Sequence, residues 1–370
     1  MTMPSMTRSI ESRATESRSM RVPESLLRRQ TELILQAWGL PAAAIECAVD
    51  ALVWADLRGI ASHGIAMLPI YEKWRHAGRF DPQARPSLLR ELPALAVYDA
   101  GSGFGFEPSR VAMRKAIDLA RASGLAAVSV RRSNHFGAAG HWAEMASDAG
   151  LIGVAMTSTV SPSIVPTGGR VARLGTNPIA FAAPGADSPP FLLDMATSTV
   201  ALGKLMVAAL EGRPIPAGWA LGPDGQTTAD PQVGYDSRLA TPLGALPELS
   251  SHKGYGLAVM VEILSAVLSG SLLSFEDGGD DTRGNVGHFF MAIDPRAFRD
   301  DNGFSRHLDR LTRTLRDTAP LDPDQPVRVA GDPERDRLAL SQSEGVALAA
   351  TLVDALRALC ARASCACVLA

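Results

Sequence analysis

The sequence predicts an α/β fold: a mixed sheet flanked by helices, preceded by a helical N-terminal part. Two observations carry this expectation. Apolar residues recur at helical spacing up to Arg58, and strand-like and helix-like segments alternate between residues 95 and 156.

In chain order, Pro23 to Ala37 reads as a helix with Leu26, Leu27, Leu33 and Ile34 at helical spacing. Pro41 to Arg58 is a second helix, with a proline near its start, where a missing N–H costs nothing. Leu95 to Tyr98 is a short strand, and Asp99 to Gly105 a glycine loop. Pro108 to Ser123 is a helix stopped by Gly124. Leu125 to Val130 is an apolar strand, His141 to Ala149 a helix ended by Gly150, and Leu151 to Met156 another strand. Phe181 to Met195 reads as strand, loop, strand. Gly212 to Leu249, rich in Gly, Pro and polar residues, is a long irregular connection, and such length is often functional. Tyr255 to Leu268 is an apolar helix expected to be buried. His288 to Ile293 is a late strand, and Phe298 to Thr318 and Ser343 to Arg362 are helices.

Bulk composition narrows the function classes. The chain has 370 residues, 46% of them hydrophobic and 20% charged, which describes a globular protein with room for a large core. Its formal net charge of -3 offers no basic excess for nucleic acid. No apolar run is long enough to span a bilayer, so no membrane partner is expected. Met1 to Met20 lacks the hydrophobic core of a secretory signal and reads as a disordered tail. The cysteines, Cys47, Cys360, Cys365 and Cys367, have no metal-ligand spacing. Reduced thiols and a cytoplasmic location follow as expectations. Cys367 to Ala370 matches a prenylation box in form, but no polybasic segment precedes it.

Five short motifs carry the chemistry: Ser62-His63-Gly64, Ser133-Asn134-His135-Phe136-Gly137, Gly175-Thr176-Asn177-Pro178, Asp194-Met195-Ala196-Thr197-Ser198 and His252-Lys253-Gly254-Tyr255-Gly256. Each sets a titratable or hydrogen-bonding side chain beside glycine, proline or small residues, as a composite polar pocket requires. His135 lies just past a strand, where ligands of open α/β sheets gather; it either exchanges protons near neutral pH or satisfies loop backbone. Lys253 precedes the apolar helix, where it either meets a phosphate or is simply solvated. Asp194 either caps a helix beginning near Thr197 or orients a histidine or cofactor hydroxyl. Adjacent Ser62 and His63 argue against a hydrolase, because neighbours in sequence do not easily form a nucleophile–base pair. Gly101-Ser-Gly103-Phe-Gly105 lies between strand and helix, but position 106 is Phe where G-x-G-x-x-G needs glycine. The following strand ends in Arg131 and Arg132 rather than an acid, so a structural glycine turn is the better reading. The histidine spacings match no zinc motif, and no metal is expected.

In order and spacing, these motifs resemble the type-2 malate/L-lactate dehydrogenase family from about Val22 to Arg337. The resemblance rests on Ala55 to Gly64, Ser133 to Gly137, Gly175 to Pro178, Asp194 to Ser198, His252 to Leu257 and Gly287 to Pro295. It implies a non-Rossmann, sulfolactate-dehydrogenase-like α/β fold, NAD or NADP as cofactor, a small-molecule 2-hydroxy/2-keto acid or cyclic imino acid as substrate, and a homodimer. His63 and His135 take the proton-transfer positions, with Ser62 and Asp194 beside them. Asp194, Met195, Ala196, Thr197, Lys253, Gly254, Gly331, Asp332 and Pro333 match cofactor positions. Substrate falls to Arg58, Met67, Tyr71 and Thr159. Many relatives carry an arginine where Met67 stands, so either Arg58 takes the substrate carboxylate or the substrate differs. The implied division is a tail at 1–21, a helical, substrate and dimerisation domain at 22–95 plus 250–360, a cofactor-binding domain at 96–249, and a tail at 361–370. A catalytically weak binding paralogue and a Ser62/His63 hydrolase are the alternatives.

Overall fold

The computed structural model describes residues 19–159, 161–277, 283–301 and 303–369; of the tail expected at residues 1–21, residues 1–18 lie outside them, and from Ser19 the chain forms a strand instead. The chain divides into two compact units, one of residues 1–76 and 332–370, the other of residues 77–331.

In the first unit, α1 (Glu24–Ala37) and α2 (Ala42–Leu57) follow the two predicted helices closely. Two short 3-10 turns, Ala61–His63 and Ile65–Met67, lead into α3 (Leu68–His76), which the sequence reading missed. The late part of this unit holds α10 (Asp332–Glu344) and α11 (Ala350–Ala363). A single helix was expected from Ser343. Instead Gly345, in the left-handed region, breaks the chain, and β9 (Val346–Ala349) pairs antiparallel with β1 (Ser19–Val22). The last residues are not loose. The buried Gln30 side chain accepts from Val368 N (2.7 Å) and donates to Ala366 O (3.2 Å), holding the tail against α1.

The second unit is a seven-stranded sheet in the order β2-β3-β4-β8-β5-β6-β7. The strands are β2 (Ser87–Leu92), β3 (Leu95–Asp99), β4 (Leu125–Ser133), β5 (Ile152–Thr157), β6 (Ile179–Ala183), β7 (Phe191–Met195) and β8 (Val286–Ile293). β3 and β4 run parallel and the other pairs antiparallel, so the sheet is mixed. β8 comes late in the chain yet lies at the centre. On one face lie α4 (Phe106–Ser123) and α5 (Ala139–Asp148). Gly153 permits the approach of α5: a Cβ there would stand 2.2 Å from Ala143 O. On the other face Val154, Met156 and Phe289 pack with Val261 of α8 (Ser251–Glu262). The alternation of β5 residues between two covered faces is the period of two expected of a strand.

The connections hold α6 (Leu202–Glu211), the helix expected near Thr197 but starting later, α7 (Pro231–Ser237) within the long irregular stretch, and α9 (Phe304–Arg316). The apolar helix expected at Tyr255 to Leu268 is α8 plus a π-helical turn at Ile263–Val267. It is not buried all round: Met260, Ile263, Val267 and Leu268 are exposed, because Val261 and Leu264 take the side that packs on Val154, Met156 and Phe289 of the sheet.

Candidate active site

Within the first unit, the Ser62-His63-Gly64 turn closes over Asp56. This carboxyl group is buried, and its Oδ2 accepts from Ile65 N at 2.8 Å. Gly64 has no alternative, since a Cβ would stand 1.9 Å from Asp56 Oδ1. Burial away from water pushes Asp56 up to about 7, against the opposing pull of the Ile65 N–H. His63 is half-buried, and desolvation lowers its imidazole below the usual range. Ser62 Oγ lies 2.9 Å from His63 Nδ1, so the adjacency argument fails here: the 3-10 turn folds the hydroxyl onto the ring. Around this turn, the Arg58 guanidinium stacks 4.2 Å over Trp54 and Met67 is half-buried. Tyr71 is fully buried against Trp74, and burial raises its phenol well above the ordinary value. Asp332 and Pro333 open α10, with Asp332 paired to Arg335.

Within the second unit, His135 sits half-buried between the end of β4 and the start of α5. β4 is irregular just before it, with Arg132 at φ 50 and a register shift between Val130 and Ser133. Gly137 N donates to His135 Nδ1 at 3.3 Å, which places the neutral ring's proton on Nε2. The side chain of Asn134 is anchored through its Nδ2 to Ser102 O (3.1 Å) and Gly103 O (2.9 Å). This explains the glycine loop: a Cβ on Gly105 would strike Asn134 O at 2.2 Å and His135 O at 2.5 Å. Arg131 and Arg132 both pair with Asp99, at 3.0 and 3.1 Å.

The other three motifs join this turn through a chain of contacts. Asp194, at the end of β7, accepts from Gly140 N at 2.7 Å in the first turn of α5; the helix expected near Thr197 begins only at Leu202. Met195 and Ala196 are half-buried. Thr197 is buried, and its hydroxyl donates to Thr176 O and Asn177 O, both at 3.1 Å. Asn177 Nδ2 in turn reaches Ala258 O (2.9 Å) and Glu262 (2.7 Å) on α8. Gly254 lets α8 lie against Leu243, whose carbonyl would be 2.2 Å from a Cβ. Lys253 is exposed in the first turn of α8, and no side chain caps that helix. Gly331, at φ 94, follows Ala330, whose carbonyl accepts from Leu192 N beside Asp194. Thr159 is half-exposed past β5.

Sequence reasoning singled out neither Asp56 nor His288. Both signals were present: an acid in the last turn of an apolar helix, where the helix dipole opposes it, and a histidine inside an apolar strand. Among the described residues no cluster of His, Cys, Asp or Glu could hold a metal, and no helix is long and apolar enough to cross a membrane.

A model of the malate/L-lactate dehydrogenase family matches residues 22–357. A malate dehydrogenase from Pyrococcus abyssi is 40% identical over 301 residues, covering 81% of this chain and 83% of that one. A (2R)-3-sulfolactate dehydrogenase (NADP(+)) from Chromohalobacter salexigens is 36% identical over 88% of this chain and 93% of its own length. The solved malate dehydrogenase from Entamoeba histolytica superposes with a TM-score of 0.89 at 30% identity, covering 94% of this chain and 99% of that one.

Proposed function

The chain belongs to the malate/L-lactate dehydrogenase family, and from that premise we propose that it is an NAD(P)-dependent oxidoreductase of 2-hydroxy/2-keto acids or cyclic imino acids. Bound nicotinamide supplies or accepts the hydride at the substrate's C2. The residues present fit such a coenzyme: the first turn of α8 has no side-chain cap and carries exposed Lys253, a pairing suited to a phosphate. Met195 ends β7, Ala196 follows it, and Gly331 follows Ala330, whose carbonyl accepts from Leu192 N of the same strand; these are the remaining coenzyme candidates.

His63 and His135 are the catalytic histidines of this reading. The observation that carries it is the partner each ring meets. A hydroxyl can turn to donate or accept, so Ser62 tolerates either protonation state of His63. A backbone N–H cannot turn, so Gly137 opposes a proton on His135 Nδ1 and holds that ring as an Nε2–H donor. His63 is therefore the group that gains and loses the proton, and His135 orients and polarises the substrate's oxygen or nitrogen. Arg58 is the candidate cation for the carboxylate, with Met67 a candidate lining residue on the same turn; Thr159 is a separate substrate candidate in the second unit. The exposed stripe of Met260, Ile263, Val267 and Leu268 supports a homodimer, which light scattering would test. For the activity, a panel of 2-keto and cyclic imino acids is offered with NADH and NADPH while coenzyme fluorescence is followed. Absence of coenzyme oxidation across the panel, together with no nucleotide-dependent thermal stabilisation, would overturn the reading.

A further inference from the structure

His288 is the third residue of the central strand β8 and is fully buried. Both its ring nitrogens are engaged by hydroxyls: Nδ1 with Thr157 Oγ1 of β5 at 2.8 Å, and Nε2 with Ser133 Oγ of β4 at 2.8 Å. Its face stacks on Phe136, with centroids 4.6 Å apart and the planes 16° from parallel. Ser133 and Phe136 bracket Asn134 and His135, so the ring supports the catalytic turn from both sides of His135. No glycine or leucine at this position could do the same, since neither offers two polar edges and a flat face together.

We propose that His288 is a positioning residue for His135: it fixes where the His135 imidazole stands without touching the substrate. The inference rests on the reading of His135 as part of the catalytic pair. The geometry is specific in its logic. A neutral imidazole has one donor and one acceptor nitrogen, and Thr157 and Ser133 can each supply the complementary role. Two rigid strands, β4 and β5, are thereby tied to the turn through one ring. Burial keeps that ring neutral, titrating at about 3, so the arrangement persists across the physiological range. Misplacing a catalytic group by about 1 Å can cost on the order of a hundredfold, so a support of this kind has kinetic consequences out of proportion to its distance from the chemistry.

The test is a double-mutant cycle on the full chain. His288→Phe keeps the ring and its stack on Phe136 but loses both polar contacts. His288→Gln retains a polar group near the Nε2 position, and Ser133→Ala removes only the Nε2 partner. His288→Phe should lower kcat by about tenfold while leaving the KM for coenzyme within twofold; Ser133→Ala should do so less, and His288→Gln should recover most of the loss. In the His135→Ala background, His288→Phe should cost less than about twofold, because the residue it positions is already gone. An equal cost in both backgrounds, with His135→Ala itself strongly impaired, overturns the positioning role and leaves the catalytic reading intact. Wild-type turnover in His135→Ala overturns both. Should His288→Phe fail to fold, the same cycle run with Ser133→Ala decides.

Discussion

Around His63 the backbone closes over a carboxyl group; around His135 it rests on a neutral imidazole. The His63 turn holds Gly64, where a Cβ would collide with Asp56, and the His135 turn packs on Gly105 of another loop, where a Cβ would collide with Asn134 and His135; each turn rests on a buried polar side chain. The supports differ in charge response. Asp56 is held at about 7 against an ordinary 3.8, so the folded chain binds its proton more tightly than the unfolded chain does. That contribution to stability is present at low pH and is lost as pH rises from about 4 to about 7. His288 titrates at about 3 against an ordinary 6.5, so the unfolded chain binds the extra proton. Its contribution is present above about 6.5 and is lost as pH falls toward about 3. The first turn also gathers the substrate candidates Arg58 and Met67, whereas the second is joined through Asp194, Thr197 and Asn177 to the helix that carries Lys253.

The largest effect should come from the histidines themselves. His63→Ala and His135→Ala should each lower turnover by at least about a hundredfold without loss of the fold, as removal of a positioned proton-transfer group or of a polarising donor does. The pH profile separates them: only His63→Ala should abolish the ionisation seen in kcat/KM. Near-normal turnover in both would break the comparison outright.

Replacing Lys253 with Met should weaken coenzyme binding by about tenfold, the scale of one charge-assisted hydrogen bond, with little change in substrate KM. Calorimetry that finds unchanged coenzyme affinity would return Lys253 to a solvated surface role.

Met67→Arg acts on the other turn. If its apolar thioether reflects a larger or less charged substrate, wild-type kcat/KM for oxaloacetate should be poor and the arginine should raise it by roughly tenfold, the gain from pairing an otherwise unpaired charge. Efficient wild-type turnover of oxaloacetate, unimproved by the arginine, means that Arg58 already serves the carboxylate.

The smallest effect is on stability and reads the supports directly. Across pH 4 to 8, Asp56→Asn should gain on the wild type in Tm as pH rises toward 7. His288→Gln should gain on it as pH falls below about 6.5. Each slope should amount to several degrees. Parallel curves for either variant would show that the group does not titrate as its burial demands.

The helices at Glu24–Ala37 and Ala42–Leu57, the strand–helix alternation and all five motifs were legible in the sequence, because apolar periodicity and glycine, proline or histidine placement are local signals. The family could be read from those motifs as well, and its model spans residues 22–357. What periodicity could not give was β8 at the centre of the sheet, since pairing between residues 125–133 and 286–293 depends on long-range register. Nor could it give the roles of Asp56 and His288. A buried acid and a buried histidine look in sequence like ordinary polar residues in apolar segments. Only the tertiary fold, by laying one turn over a carboxyl and another over an imidazole, removes water from both groups and so sets their charge.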